Sequence, residues 1–288
     1  MKVAIIGGSG RMGQWLARFL LKDGQEVMAI GRNESKLREL KQQLGIETAT
    51  SLEAIKTADV VLISVPIDSF ESVVKQLPPY LRPEQVILDI TSIKATPVEV
   101  MHRYIKTGKM LGTHPMFGPG AKDFSKQNVV LTPTSEKETA LAQKVKQYLE
   151  ARGARVALMT PQEHDEMMAI VLGLAHFIAL VSADALLSFD RLKQMEKVGG
   201  TTYRLLLTLA ESVLTEDAEF YASLQMNLPK MPEIHGLFQK KAKAWARLVK
   251  SKDSRGFIQR MDVLKDKLAK SDPGFKRAYE NMYRLLGS

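Results

Sequence analysis

The residue best placed to do chemistry is a histidine in a proline- and glycine-flanked segment, Gly112-Thr113-His114-Pro115-Met116-Phe117-Gly118-Pro119. An imidazole titrates near neutrality, so His114 is a candidate general base. Upstream, Gly8-Ser9-Gly10-Arg11-Met12-Gly13 has the spacing that seats a dinucleotide pyrophosphate at a helix N-terminus. A nicotinamide ring accepts a hydride but cannot take the proton of the alcohol that releases it. A glycine loop and a histidine at one sheet edge would supply both halves of an alcohol oxidation.

At the cofactor end, Gly8 is expected to permit the tight turn, Gly10 the close approach of backbone to pyrophosphate, and Gly13 close helix–strand packing. Ser9, Arg11 and Met12 fill the intervening positions and belong to the same candidate site. The second strand ends in Ile30-Gly31-Arg32-Asn33. An NAD site usually carries an acidic residue there to hold the ribose 2′-hydroxyl. Here the acid is missing and Arg32 follows, with Ser9, Asn33 and Lys36 as candidate helpers. This predicts NADP, with NAD possible, because an arginine pairs with a 2′-phosphate that a carboxylate would repel. Ser64-Val65-Pro66 ends a further strand at the same edge and should lie beside the cofactor.

These residues need a scaffold. Apolar strands at 2–7, 26–30, 46–48, 59–65, 85–90, 128–132 and 154–158 alternate with helices at 13–22, 34–44, 51–56, 68–77 and 136–151. That alternation predicts a parallel α/β sheet of Rossmann type covered on both faces. The strand ending at Asp89-Ile90-Thr91-Ser92-Ile93-Lys94 and the one carrying His114 would bring Ser92 and His114 over one nicotinamide ring. After Thr160-Pro161 helical periodicity takes over, at 162–189, 191–214, 217–225, 231–250, 254–269 and 273–286. The expected division is a dinucleotide-binding domain over 1–160 and an all-helical domain over 161–288.

Composition narrows the partners. The 288-residue chain is 45% hydrophobic and 25% charged, as folded proteins are, and has no cysteine, which excludes disulfides and thiolate chemistry. The net charge of +9 is scattered over amphipathic helices without aromatic–basic interleaving, so it argues for an anionic substrate rather than nucleic acid. The apolar run Met167–Ala183 falls short of a membrane span and contains Gly173, His176 and Ser182; a protein core or subunit interface is the simpler home. No leader is read at the N-terminus, and a cytoplasmic location is expected. The five histidines are dispersed, so no metal site is expected.

The chain resembles the prephenate dehydrogenase family, in particular archaeal and bacterial members with His-Pro-Met-Phe-Gly. The resemblance rests on the glycine fingerprint, Asp89–Lys94, Thr113–Pro119, Glu163-His164-Asp165, Gly173-Leu174-Ala175-His176 and Tyr221-Ala222-Ser223-Leu224-Gln225-Met226. It implies oxidative decarboxylation of prephenate, arogenate or both, a small anionic cyclohexadienyl substrate, and a homodimer formed through the helical domain. It implies that His114 is the catalytic histidine and Ser92 the serine orienting it or the substrate hydroxyl. His176 and Arg204 are implied at the substrate, and His164 is read as structural or cleft-lining. Many relatives carry a further arginine where this chain has Ser212, and aspartate where it has Ser223; Lys240, Lys241 and Arg247 are possible substitutes. The competing readings are another NADP-dependent oxidoreductase of the 6-phosphogluconate-dehydrogenase type and a non-catalytic dinucleotide-binding homodimer.

Overall fold

The computed structural model describes residues 1–287 and contains two compact units, Met1–Met168 and the residues from Ala169 onward. The first unit holds one sheet of β1 (Lys2–Ile6), β2 (Glu26–Ile30), β3 (Glu47–Ala49), β4 (Val60–Ile63), β5 (Val86–Asp89), β6 (Lys109–Pro115), β7 (Asn128–Thr132) and β8 (Arg155–Leu158). Its helices are α1 (Arg11–Lys22), α2 (Glu34–Leu44), α3 (Ile67–Val74), α4 (Ala95–Tyr104), α5 (Glu136–Glu150) and α6 (Pro161–Met168). The strand order is β3-β2-β1-β4-β5-β6-β7-β8. The order reverses between β1 and β4, which opens the ligand-binding crevice of such sheets beyond their carboxyl ends.

Burial explains the strands. Val3, Ala4, Ile5 and Ile6 are each at most 4% exposed, so β1 is apolar toward both faces, as a central parallel strand must be. Leu16, Leu37 and Leu141 bring α1, α2 and α5 onto one core, while Phe70 and Met101 bring α3 and α4 onto the other. The expected parallel pattern is corrected at one place: β7 runs antiparallel to β6. The connection between them contains no helix, and a parallel return needs a crossover. The expected helix at 51–56 is a 3₁₀ turn, Leu52–Thr57. Helix α4 was missing from the sequence reading.

Two local devices bear on the site. Thr160 and Glu163 cap α6 reciprocally: Glu163 accepts from the Thr160 N–H at 2.8 Å, and the Thr160 hydroxyl accepts from the Glu163 N–H at 3.2 Å. At the far end of α1, Asp23 accepts two hydrogen bonds from Arg152, each at 2.7 Å, and one from the Tyr148 hydroxyl at 2.6 Å. This clasp ties α1 to α5.

The second unit is helical: α7 (Ala175–Leu187), α8 (Leu192–Val198), α9 (Thr201–Leu214), α10 (Ala218–Asn227), α11 (Met231–Lys250), α12 (Ser254–Ser271) and α13 (Ala278–Leu285). The helix expected over 162–189 is interrupted by a π turn, Ala169–Leu174. The one expected over 191–214 breaks at Gly199-Gly200 into α8 and α9. The stretch Pro161–Leu187 is long and apolar enough to cross a membrane by length and composition, with a window of mean hydropathy 2.1, and only 17% of that window is buried.

Arg152 holds the Asp23 carboxyl below its ordinary value through its hydrogen bonds, against the opposing effect of burial and with help from Tyr148. A depressed folded-state value means stability that is present at neutral pH and lost as pH falls through it. Asp23→Ala is therefore expected to cost about 1–2 kcal/mol in urea unfolding at pH 7, with the difference from wild type shrinking below about pH 4.

Candidate active site

The glycine loop follows β1 directly. Gly7 has φ +82, and a Cβ there would overlap the Ser64 carbonyl oxygen. The N–H groups of Gly7 and Gly8 both donate to the Ile30 carbonyl, at 2.8 and 3.0 Å. The left-handed turn is thus made at Gly7, one residue before the fingerprint, rather than at Gly8. A Cβ on Gly8 would stand 2.7 Å from that of Ala29, so Gly8 serves packing against β2. A Cβ on Gly13 would lie 2.5 Å from the Gly7 carbonyl oxygen, which fits its expected role in close helix–strand approach.

Helix α1 starts at Gly10 with no side-chain cap and no acidic residue in its first turn. Its first N–H groups and positive dipole end suit a pyrophosphate. Ser9, Arg11 and Met12 lie on this turn, with Ser9 Oγ beneath Gly31. Ser64, Val65 and Pro66 follow β4 beside it, the Ser64 N–H donating to Ile6 at 2.8 Å. Beyond β2, Arg32 is exposed and takes part in no ion pair among the described residues. Asn33 spends its side-chain oxygen capping α2 through the Lys36 N–H, 3.0 Å away.

The chemistry end is built from β5, β6 and α6. Asp89 pairs in register with Gly112, so the residues after both positions emerge at the carboxyl edge. His114 is 5% exposed, and its Nδ1 lies 2.8 Å from His164 Nε2. His164 is fully buried, and its Nδ1 lies 2.7 Å from Asp165 Oδ1. Asp165 also accepts from the Lys94 N–H at 2.7 Å and the Ala95 N–H at 2.9 Å, capping α4 from another helix.

With both rings neutral, these contacts fix the tautomers. A carboxylate only accepts, so His164 donates from Nδ1 and its Nε2 carries a lone pair. That lone pair accepts from His114 Nδ1–H, and His114 Nε2 is left as an unprotonated acceptor with no protein partner among the described residues. Burial first, then His164, then Lys94 lowers the His114 value well below that of an ordinary histidine. The arrangement presents a neutral base. Ser92 sits half-buried beyond β5, and the His114 ring is held by His164 rather than by Ser92.

Below this relay, Lys94 is wholly buried and its Nζ donates to Asp89 and, at 2.7 Å, to the Thr113 carbonyl. Asp89, Lys94 and Asp165 lie within the motifs, but no role for them follows from the sequence. The signal for Asp89 is a formal charge at the end of an apolar strand run; Lys94 and Asp165 stand in polar surroundings that carry none.

The other candidates lie in the second unit. His176 is half-buried, packs edge-on to Tyr221 at 4.8 Å, and has a buried Nδ1 without a partner. Burial lowers its value. The carbonyl of Gly173, just before it, accepts from Gln225 Nε2 at 2.8 Å; Gln225 is in turn 3.1 Å from His235, which stacks on Phe177. Arg204 is exposed on α9, as is Ser212, whose hydroxyl donates to Leu209. Lys240, Lys241 and Arg247 are exposed on α11.

Fold and site together define a Rossmann-type dinucleotide-binding protein with a buried histidine pair at the carboxyl edge of its sheet. Residues 16–158 match the nucleotide-binding domain of prephenate dehydrogenase and residues 160–263 its dimerization domain. The chain belongs to the prephenate dehydrogenase family. It is 36% identical over 267 residues to a probable arogenate/prephenate dehydrogenase of Methanocaldococcus jannaschii, covering 91% of this chain and 59% of that one. It is 26% identical to the T-protein of Haemophilus influenzae, over 92% of this chain and 66% of the relative. The chain therefore spans about three-fifths to two-thirds of these relatives' lengths. Its fold is that of a prephenate dehydrogenase from A. aeolicus solved with hydroxyphenyl propionate and NAD+, with TM-score 0.78 at 20% identity over 94% of this chain and 98% of that one.

Gly7→Ala forces a side chain into a left-handed backbone against the Ser64 carbonyl. It is expected to lower stability by roughly 1–3 kcal/mol or more and to abolish dinucleotide binding, read by urea unfolding and by fluorescence titration with reduced cofactor.

Proposed function

We propose that this protein oxidises prephenate or arogenate with a nicotinamide dinucleotide, with loss of the ring carboxylate as CO2. The observation that carries the reading is the relay from Asp165 through His164 to His114, which leaves a neutral, partner-free Nε2 at the edge where the glycine loop also ends. Family membership supplies the substrate class. When bound, the nicotinamide supplies the hydride acceptor. His114 Nε2 takes the proton of the substrate's 4-hydroxyl as hydride departs from the same carbon. Departure of CO2 then makes the ring aromatic and the oxidation effectively irreversible. The glycine loop and the open end of α1 hold the pyrophosphate.

The cofactor is read as NADP. Arg32 is exposed and without an ion pair among the described residues, the three residues after β2 carry no carboxylate, and an arginine there suits a 2′-phosphate. His176 and Arg204 are the proposed contacts to the substrate side chain, and Ser92 is proposed to meet the substrate hydroxyl. The two-domain division, with a boundary near residue 160, and the homodimer through the helical domain belong to the same reading. The match of residues 160–263 to a dimerization domain supports it.

Reduced-cofactor absorbance with NAD or NADP against prephenate or arogenate tests the activity. Silence in all four combinations, with dinucleotide binding intact, would overturn it. His114→Asn should keep dinucleotide binding and lose turnover by roughly 10²–10⁴-fold; near-normal turnover would remove His114 from the mechanism. A base is active unprotonated, so activity is held above its lowered value and lost as pH falls through it. The acid limb of kcat/KM is expected below the ordinary histidine value of about 6.5. Arg32→Ala should raise KM for NADP by about tenfold while leaving NAD little changed; equal effects on both would argue against a 2′-phosphate contact.

A further inference from the structure

Lys94 is 0% exposed, yet a buried ion pair such as Lys94–Asp89 adds little stability over well-packed apolar side chains. What distinguishes Lys94 is where its donors go. Its Nζ holds Asp89 and, at 2.7 Å, the carbonyl of Thr113, the residue immediately before His114. Its main-chain N–H holds Asp165 Oδ1 at 2.7 Å, the same oxygen that faces His164. Asp89 is braced by the Thr91 N–H at 3.0 Å and the Thr113 N–H at 3.3 Å. One position therefore holds Thr113, next to His114 on β6, through its side chain and Asp165 of α6 through its backbone.

We propose that Lys94 is the positioning residue of this centre: its ammonium fixes the strand that carries His114, at the same position whose main-chain N–H holds the carboxylate that orients His164. The proposal rests on the reading of His114 as general base. The titratable and charged groups against His114 are His164 and Asp165 from α6, and Lys94 with its partner Asp89 from the β5 edge. Of these, Lys94 disfavours a second positive charge on His114, while Asp89 and, through His164, Asp165 favour it.

The test is steady-state kinetics against pH, with dinucleotide binding, for Lys94→Met, Lys94→Gln and the pair Asp89→Asn/Lys94→Met, which leaves no unpaired buried charge. Expected are retained dinucleotide binding and a kcat lower by about ten- to a hundredfold in all three as the base loses its alignment, with an acid limb displaced to higher pH in the two single variants, where a cation has gone, and little displaced in the pair, where Asp89 has gone with it. Lys94→Gln keeps one donor for the Thr113 carbonyl and should recover part of kcat while keeping the displaced limb. A folded variant with wild-type kcat and an unmoved limb overturns the proposal. So does loss of both fold and dinucleotide binding in all three, which would make Lys94 a stability residue only. If His114→Asn retains turnover, the base reading itself fails. If that variant is dead and the Lys94 variants are normal, only the role of Lys94 fails.

Discussion

The centre depends on Asp165 being an acceptor at both oxygens. A buried carboxylate is costly unless donors surround it, and here they are the main-chain N–H groups of Lys94 and Ala95 and the His164 ring. The backbone donors cannot rotate away or lose their protons. They also belong to the first residues of α4, whose dipole favours a negative charge at that end. The direction of every proton in the relay follows from this one anchored charge. Were Asp165 neutral, His164 could carry its proton on either nitrogen, and His114 would have no defined free lone pair.

Burial sets a compromise in this arrangement. Taking His114 out of water keeps it neutral, as a base must be, but also makes it a weaker base. On the proposed chemistry that weakness is tolerable. The hydroxyl proton becomes acidic only as hydride leaves its carbon, so a base acting late needs position more than strength. The relay supplies position, since Nδ1 is tied to His164 and only Nε2 is available.

The sequence made the alternating scaffold legible because parallel strands buried on two faces are continuous apolar runs, as Val3 to Ile6 are. The fingerprint was legible too, but its turn residue was not. Gly7 looks like the end of a strand until the Ser64 carbonyl across from it is known. Helix α4 is short, contains Pro97 and takes its cap from Asp165, 70 positions from Ala95, so no local signal marks its start. His164 was read as structural or cleft-lining for the same reason: its pairing with His114 spans 50 positions and is set by β6 and α6 together. The π turn is a further case. No proline or cap in Ala169–Leu174 announces it; in the fold Gly173 is crowded by Met231, 2.6 Å from a would-be Cβ, and its carbonyl is bonded to Gln225 where the helix widens.

The apolar stretch Pro161–Leu187 is the remaining constraint, because water does not tolerate a large contiguous apolar face. Ala179 and Ala183 are buried within the second unit, while Ile170, Val171, Val181 and Leu187 are 42 to 58% exposed. A lipid environment would cover these side chains, but the same stretch begins with Glu163, His164, Asp165 and Glu166, and His164 and Asp165 are committed to the relay of the first unit. A membrane span would have to carry that relay with it. The neighbouring helices also expose Glu211, Glu219 and Lys240, which suit water rather than lipid. A second copy of the chain would cover an apolar stripe without disturbing either feature, which is the physical support for the proposed homodimer.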